Sequence, residues 1–93
     1  MIKKTIKNSK TWVTITYQPE RKVDSVTLAG SWNAWAGDKM KEKKNGEFYI
    51  TKVLPVEHSY EFRYFVDEKE WQNESGLPTI LNPHGSENML LEL

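Results

Sequence analysis

The stretch that decides the fold is Tyr60–Val66, with the sequence YEFRYFV, in which aromatic or apolar side chains occupy every second position. A strand places successive side chains on opposite faces, so Phe62 and Tyr64 share one face and Arg63 lies on the other. Such a period of two is typical of a strand that buries one face. The stretch therefore predicts one strand of a sheet that covers a core.

The same alternation recurs on both sides of this stretch, and no segment carries a sustained helical period. The further predicted strands are Thr11–Tyr17, Ser25–Ala29, Glu47–Leu54 and Asn88–Leu93, with Lys39–Lys43 a weaker candidate for a sixth. Gly, Pro, Asn and Asp separate them, and Asn45-Gly46 is typical of a type I′ hairpin because both central residues of that turn need positive φ. We therefore expect an all-β, immunoglobulin-like β-sandwich of two antiparallel sheets.

The length of the chain limits it to one domain. The 93 residues suffice for a single modest core, and we expect one domain over residues 1–93, with residues 1–10 as a loosely ordered lead-in. Those ten residues lack the apolar segment of a secretory signal, and no apolar run elsewhere is long enough to cross a bilayer. The absence of cysteine excludes disulfides and thiolate metal sites and fits a reducing compartment. We expect a cytoplasmic protein.

The charge balance argues against polyanionic ligands. Thirteen Lys and Arg residues match thirteen Asp and Glu residues. Without a net positive field the chain is not expected to gather nucleic acid or an anionic membrane, although four of its first ten residues are lysines.

Candidate catalytic residues are sparse. Ser31 does not lie in the G-x-S-x-G context of a nucleophile elbow, and no strand-to-helix turn is predicted there. Asp67 and Glu68 are interpreted as polar turn residues rather than as a pair of glycosidase carboxylates. His58 and His84 lie in separate loops and match no metal-ligand spacing. We therefore expect no enzyme activity, no metal and no cofactor.

Four tryptophans in so short a chain are the unusual feature. Trp35 and Trp71 lie in loops or at strand ends beside polar and charged residues, where an exposed indole can stack on the C–H face of a pyranose. A position in the core is the alternative for each. Trp32, three residues before Trp35, is expected to turn inward, and Trp12 is also assigned to packing.

Three ordered motifs carry a family resemblance. They are VTLAGSWNAW at Val26–Trp35, YEFRYFVD at Tyr60–Asp67 and NPHGSEN at Asn82–Asn88. Together they resemble the family 48 carbohydrate-binding module, also called the isoamylase N-terminal or early-set domain. That module occurs in starch-debranching and branching enzymes and, as a glycogen-binding domain, in the β subunit of AMP-activated protein kinase. The resemblance runs from about Thr11 to Leu93 and implies noncatalytic binding of α-1,4-linked glucans such as glycogen, starch and maltooligosaccharides.

The resemblance also implies roles for particular residues. Trp35 and Trp71 correspond to the two stacking tryptophans of the kinase subunit, although the turn before Trp71 is one residue longer here. Arg63 corresponds to a basic residue that bonds sugar hydroxyls. The last loop of the family contributes an apolar residue, a hydroxyl and an amide, which fall on His84, Ser86 and Asn88. His84 stands where the kinase subunit usually has Leu.

Two alternative functions stay open at this point. A protein–protein interaction module is the first, since the fold alone proves no function, and the partner of either kind of module could be a glucan-active enzyme. An interaction module should present a contiguous apolar patch, whereas glucan binding requires Trp35 and Trp71 to be exposed beside Arg63 and Asn88. The second alternative is a glucan-active enzyme, which nothing at this length favours.

Overall fold

The alternating segments form strands in the computed structural model, which describes residues 1–74 and 76–93. In chain order the strands are β1 (Ile2–Lys7), β2 (Lys10–Tyr17), β3 (Val26–Gly30), β4 (Asp38–Lys39), β5 (Lys41–Glu42), β6 (Phe48–Pro55), β7 (Ser59–Val66), β8 (Glu70–Gln72), β9 (Thr79–Leu81) and β10 (Glu87–Glu92). A single 3₁₀ turn at Ser31–Asn33 follows β3. The described residues contain no helix of the length and hydropathy needed to span a bilayer.

The strands form two antiparallel sheets. The first sheet has the order β1-β2-β6-β5, and the second has the order β4-β3-β7-β10-β9, with β8 paired to β7. The apolar faces of both sheets meet in one core. Its buried members are Val13, Ile15, Val23, Val26, Leu28, Met40, Phe48, Leu54, Phe62, Tyr64, Val66, Met89 and Leu91. The predicted all-β sandwich of two antiparallel sheets is confirmed.

Alternation located the long strands well. The five predicted strands agree with β2, β3, β6, β7 and β10 to within one residue at each end. The weaker sixth candidate, Lys39–Lys43, was wrong as a single strand. It contains the end of β4 and all of β5, which lie in different sheets on either side of the buried Met40. Met40 faces the core as the chain crosses from the second sheet to the first.

The hairpin at Asn45-Gly46 was predicted correctly, but its turn type was not. Only Gly46 has positive φ, at 84°, so a type I′ turn is excluded. The N–H of Gly46 donates to Lys43 O at 3.0 Å, and the N–H of Lys43 donates to Glu47 O at 2.7 Å. This pattern is a type I turn followed by a left-handed glycine, the usual three-residue hairpin loop.

Three strands were not predicted: β1, β8 and β9. β1 occupies part of the expected lead-in and pairs with β2 along its whole length, from Ile2 opposite Ile15 to Lys7 opposite Lys10. β1 lies at the edge of its sheet and is mostly exposed, and β8 and β9 have three residues each, all exposed. Backbone hydrogen bonds rather than a buried face therefore hold these three strands in place. Lysines along β1 oppose pairing with another chain at this edge.

Candidate functional site

The outward face of the second sheet carries a cleft. Glu61, Arg63 and Phe65 alternate on β7 with the buried residues and so point away from the core. A cleft of about 570 Å³ lies over this face and is called the outer cleft below. Its lining residues are Ser31, Trp35, Glu61, Arg63, Trp71, Asn82, Pro83, His84, Ser86 and Asn88. All six residues predicted for a site are therefore brought together around one cleft.

Trp71 stands on β8 with 45% of its surface exposed. It lies opposite Phe65 in the β7–β8 ladder, and the two ring centroids are 4.6 Å apart. The guanidinium carbon of Arg63 lies 5.8 Å from the centroid of the Trp71 ring, within the range of a cation–π contact. Arg63 Nε donates to Asn73 Oδ1 at 3.3 Å. The indole is thus supported by one ring and flanked by a fixed cation.

Trp35 follows the 3₁₀ turn and is 39% exposed. Its N–H donates to Gly30 O at 3.0 Å, which closes the loop. Trp32 turns the other way and packs against Phe62 and Tyr60, with ring centroids 6.0 and 5.9 Å away. The expected division of the two tryptophans, with Trp32 packed on the core, is confirmed.

Gly30 makes this division possible. A Cβ atom at Gly30 would lie 2.7 Å from ring carbons of Trp32, closer than real Cβ contacts come. The φ of Gly30 is −156°, which any residue can adopt, so the requirement for glycine comes from the close approach of the indole alone. A side chain here would displace Trp32 and with it the loop that carries Trp35.

Asn88 lies at the floor of the outer cleft and is 6% exposed. Its Nδ2 donates to Glu61 Oε1 at 2.9 Å, and its Oδ1 accepts from Asn82 Nδ2 at 3.2 Å. The amide therefore joins three strands or loops: β10, β7 and the segment after β9. Its first effect is to orient Glu61 and Asn82, two residues that had not been predicted as part of a site.

The last loop is organised by Asn82. Its Oδ1 accepts from the N–H of His84 at 2.9 Å and from the N–H of Ser86 at 3.1 Å. The N–H of Asn82 donates to Ser86 O at 2.7 Å, and Gly85 adopts a φ of 85° that favours glycine. These bonds place the exposed side chains of His84 and Ser86 on the rim of the cleft.

A family model described as the glycogen recognition site of AMP-activated protein kinase matches residues 12–93. The chain belongs to this family. The matched span contains every residue that lines the outer cleft. The family is a glycogen-binding carbohydrate-binding module, and glucan binding is accordingly the function of this chain. A comparison with curated proteins found no match.

The charges in the outer cleft of the glycogen recognition module suit a neutral ligand. Glu61 and Arg63 supply one negative and one positive group, and the other lining residues are polar or aromatic. Across residues 1–74 and 76–93, no three His, Asp or Glu side chains are close enough together to hold a metal ion. Hydroxyl groups, which both donate and accept hydrogen bonds, match this mixture of amide, hydroxyl, carboxylate and guanidinium groups.

Some lining residues of the module escaped the sequence analysis. The alternation of β7 had placed Glu61 on the face of Arg63, but its hydrogen bond to Asn88 depends on the β7–β10 register. Ser31 had been considered only as a nucleophile. Its Oγ accepts from the N–H of Glu61 at 3.1 Å and so ties the Trp32 turn to β7.

Trp12 was wrongly assigned to packing. It is 48% exposed, more than either tryptophan of the outer cleft, and lies on the outward face of the first sheet opposite Val53. Its neighbours on β2, Thr11 and Val13, face the core, so the alternation itself places the indole in solvent. The module therefore has three exposed tryptophans, of which Trp12 is remote from the outer cleft.

Proposed function

We propose that the module binds α-1,4-linked glucan chains, as in glycogen, starch and maltooligosaccharides, by stacking sugar rings on Trp35 and Trp71. The observation that carries the proposal is that both half-exposed indoles border one cleft, although Trp35 in its loop and Trp71 on β8 are 36 residues apart in the sequence. Aromatic faces bind the apolar C–H faces of pyranose rings. Two aromatic platforms on different elements suit a curved glucan chain better than they suit a flat polysaccharide chain.

Polar groups between the platforms support recognition of hydroxyls. Arg63 uses Nε to bond Asn73, and in the described part of the chain its Nη atoms have no hydrogen-bond or ion-pair partner, so they are available for sugar oxygens. Glu61 uses Oε1 for Asn88 and can accept a hydroxyl with Oε2. Ser86 and Asn88 add a hydroxyl and an amide, and His84 packs on the edge of the sugar where the kinase subunit has an apolar residue.

The same lining supports binding without cleavage. Glycoside hydrolysis by the common mechanism needs two facing carboxylates. Among the described residues that line the outer cleft, Glu61 is the only carboxylate, so this lining does not contain the facing pair. We therefore propose that the module holds glucan and leaves its chemistry to another protein.

Affinity for a single chain should be weak, because the cleft is open and both platforms are half in solvent. We expect a Kd on the order of 10 μM to 1 mM, or about −4 to −7 kcal/mol. Useful retention on a polymer then comes from several copies or from linkage to a glucan-metabolising enzyme, which is the partner we propose. The cytoplasmic location expected from the sequence stays a prediction.

A second candidate function rests on the other sheet. Trp12 and Val53 are 48% and 42% exposed and lie directly opposite each other on the outward face of the first sheet. The register places four lysines on the same face: Lys3, Lys7, Lys10 and Lys41. An apolar centre with a charged rim is the usual anatomy of a protein interface. This face is the place where an acidic partner protein, such as a glucan-metabolising enzyme, would dock.

Native-gel mobility in the presence of glycogen tests the primary proposal. The parent should be retarded, and Trp35→Ala and Trp71→Ala should each run nearly as in a gel without glycogen. Trp12→Ala is the matched control, because it removes an equally exposed indole from the opposite sheet, and it should be retarded like the parent. Absence of retardation in the parent defeats the proposal. Retardation lost only in Trp12→Ala would move glucan binding to the first sheet.

A further inference from the structure

The loop that presents Trp35 is held in an unusual backbone conformation. Ala34 and Trp35 both adopt left-handed φ values, of 54° and 63°, although neither is glycine. Two consecutive residues of this kind persist only where surrounding contacts fix them. The loop's backbone bonds from Trp35 N to Gly30 O and from Ala36 N to Asn33 O do not alone account for this, because both lie within the loop.

Asn33 links this loop to the neighbouring strand. Its Oδ1 accepts from the N–H of Gly30 at 3.2 Å, and its Nδ2 donates to Asp38 Oδ2 at 3.0 Å. Asn33 immediately precedes the two left-handed residues, and Asp38 opens β4. The side chain therefore closes the loop at both ends, and its orientation depends on the carboxylate of Asp38.

Lys52 supplies the charge that fixes this carboxylate. Its Nζ lies 2.5 Å from Asp38 Oδ2, and the pair joins β6 of the first sheet to β4 of the second. Lys52 lies opposite the fully buried Val13 in the β2–β6 ladder, on the side of β6 that Ile50 and Leu54 turn to the core. A lysine at such a position is costly unless it is paired.

We propose that Asp38 and Lys52 are positioning residues for Trp35: the ion pair across the sandwich holds Asn33, and Asn33 holds the loop in the conformation that turns the indole toward the outer cleft. The pair itself does not line the cleft. Hydrogen bonding by Lys52, and then by Asn33, keeps the pKa of Asp38 below its usual range, which agrees with a carboxylate that is charged while it holds them. The inference deepens the proposed function and rests on it for its effect on glucan affinity.

Two readouts test the positioning role. The indole N–H signals of the ¹⁵N-labelled protein report the surroundings of each tryptophan, with the Trp35 signal assigned from its loss in Trp35→Ala. Titration with maltoheptaose gives the affinity. In Asp38→Ala and Lys52→Met we expect the Trp35 signal of the free protein to move while those of Trp71 and Trp12 stay, and the Kd to rise by about fivefold.

Matched variants separate positioning from loss of a charge. Lys52→Arg keeps a cation beside Asp38 and should restore most of the parental affinity. Lys43→Met removes the lysine of another ion pair, that with Glu47 in the hairpin between β5 and β6, and should change neither readout. If Asp38→Ala does not fold, Asp38→Asn, which keeps an oxygen acceptor for Asn33 but no charge, carries the same comparison.

The outcomes distinguish failure of the positioning role of Asp38 and Lys52 from failure of the proposed glucan binding by Trp35. Unchanged Trp35 signals and unchanged affinity in both Asp38→Ala and Lys52→Met overturn the positioning role. An unchanged maltoheptaose affinity in Trp35→Ala instead overturns the stacking role of Trp35. In that case a shifted Trp35 signal in the free Asp38 and Lys52 variants still supports the positioning of the loop.

Discussion

Phe65 lies opposite Trp71 in the β7–β8 ladder, with their ring centroids 4.6 Å apart and their planes inclined by 38°. Phe65 is half-buried and faces away from the core, where a phenylalanine gains little from the main hydrophobic cluster. Its principal partner is the indole. The two rings therefore form one aromatic platform, in which contact with Phe65 limits the motion of the indole that a sugar would cover.

The first prediction follows from this support. Phe65→Ala should raise the Kd for maltoheptaose by about twofold to tenfold, because an aromatic pair contributes about 0.5–1.5 kcal/mol and the indole is no longer held. Isothermal titration calorimetry measures this change, and the melting temperature shows whether the fold is intact. In a Trp71→Ala background the same substitution should have no further effect on affinity. An equal effect in both backgrounds would mean that Phe65 does not act through Trp71.

The long strands were predictable because each one buries a face, which imposes period two on its sequence. β6, for example, carries buried or half-buried Phe48, Ile50 and Leu54 at the expected spacing. β8 contains only Glu70, Trp71 and Gln72, all exposed, so no alternation marks it. Such a strand forms because its backbone groups make hydrogen bonds to a neighbouring strand that is already in place. That neighbour can be distant in the sequence, so the local sequence pattern does not reveal the strand.

Part of the lining of the outer cleft was predictable for a different reason. Trp35 and Asn88 fall on motif positions that resemble a family, so they were found without knowledge of their contacts. Glu61 and Asn82 were missed because their place in the site depends on hydrogen bonds to Asn88 across the sheet. Trp12 shows the opposite error. Its strand was predicted correctly, but the side chain was assigned to packing because it is a tryptophan, although the alternation of the strand places it on the exposed face.

Gly30→Ala is expected to destabilise the module although the backbone conformation suits alanine. The new Cβ would lie 2.7 Å from the ring of Trp32, so the indole must move within a packed cluster. Overpacking of this kind costs about 1–3 kcal/mol, measurable as a lower midpoint of urea unfolding. The smaller ring of Trp32→Phe should relieve the contact, so the double variant should be more stable than the sum of the single effects predicts. Strict additivity of the two substitutions would refute the steric explanation.

Acid should destabilise the fold partly through Asp67. Its Oδ1 accepts from the N–H groups of Ser25 at 3.1 Å and Asp24 at 2.7 Å, and its other oxygen faces Arg21. These contacts, with the Ser25 bond first, lower the pKa of Asp67 in the folded protein. A lowered folded pKa means that the stabilisation is complete above the unfolded value of about 3.9 and is lost as the pH falls through the folded pKa.

Melting temperatures of the parent and of Asp67→Asn measure this contribution. The variant should melt below the parent near neutral pH, and the difference should shrink as the pH falls from about 5 to about 3. Asp24→Asn removes a neighbouring carboxylate but keeps the backbone N–H that donates to Asp67, so it should leave the pH dependence of the parent in place. A constant difference between parent and Asp67→Asn across this range would show that the charge of Asp67 does not stabilise the fold.

Two substitutions of Asn82 can separate the effect of the shape of the last loop on glucan binding from the effect of its hydrogen bond to Asn88. Asn82→Ala removes the acceptor of two N–H groups, those of His84 and Ser86, and the donor to Asn88. Asn82→Asp retains the acceptor but loses the donor, so the loop should keep its shape while Asn88 loses one bond. We expect Asn82→Ala to raise the Kd for maltoheptaose by about threefold to tenfold, since a typical hydrogen bond contributes about 0.5–1.5 kcal/mol.

Asn82→Asp should lie between the parent and Asn82→Ala if loop shape presents His84 and Ser86 to the glucan. Calorimetric titration ranks the three proteins, and the melting temperature should change little because the loop is exposed. The pair of variants is informative because both lose the donor to Asn88, and only Asn82→Asp keeps an oxygen that can hold the two N–H groups. If both substitutions weaken binding equally, the bond to Asn88, rather than the shape of the loop, controls the site. If neither weakens it, the loop takes no part in glucan binding and the ligand lies on Trp35, Arg63 and Trp71 alone.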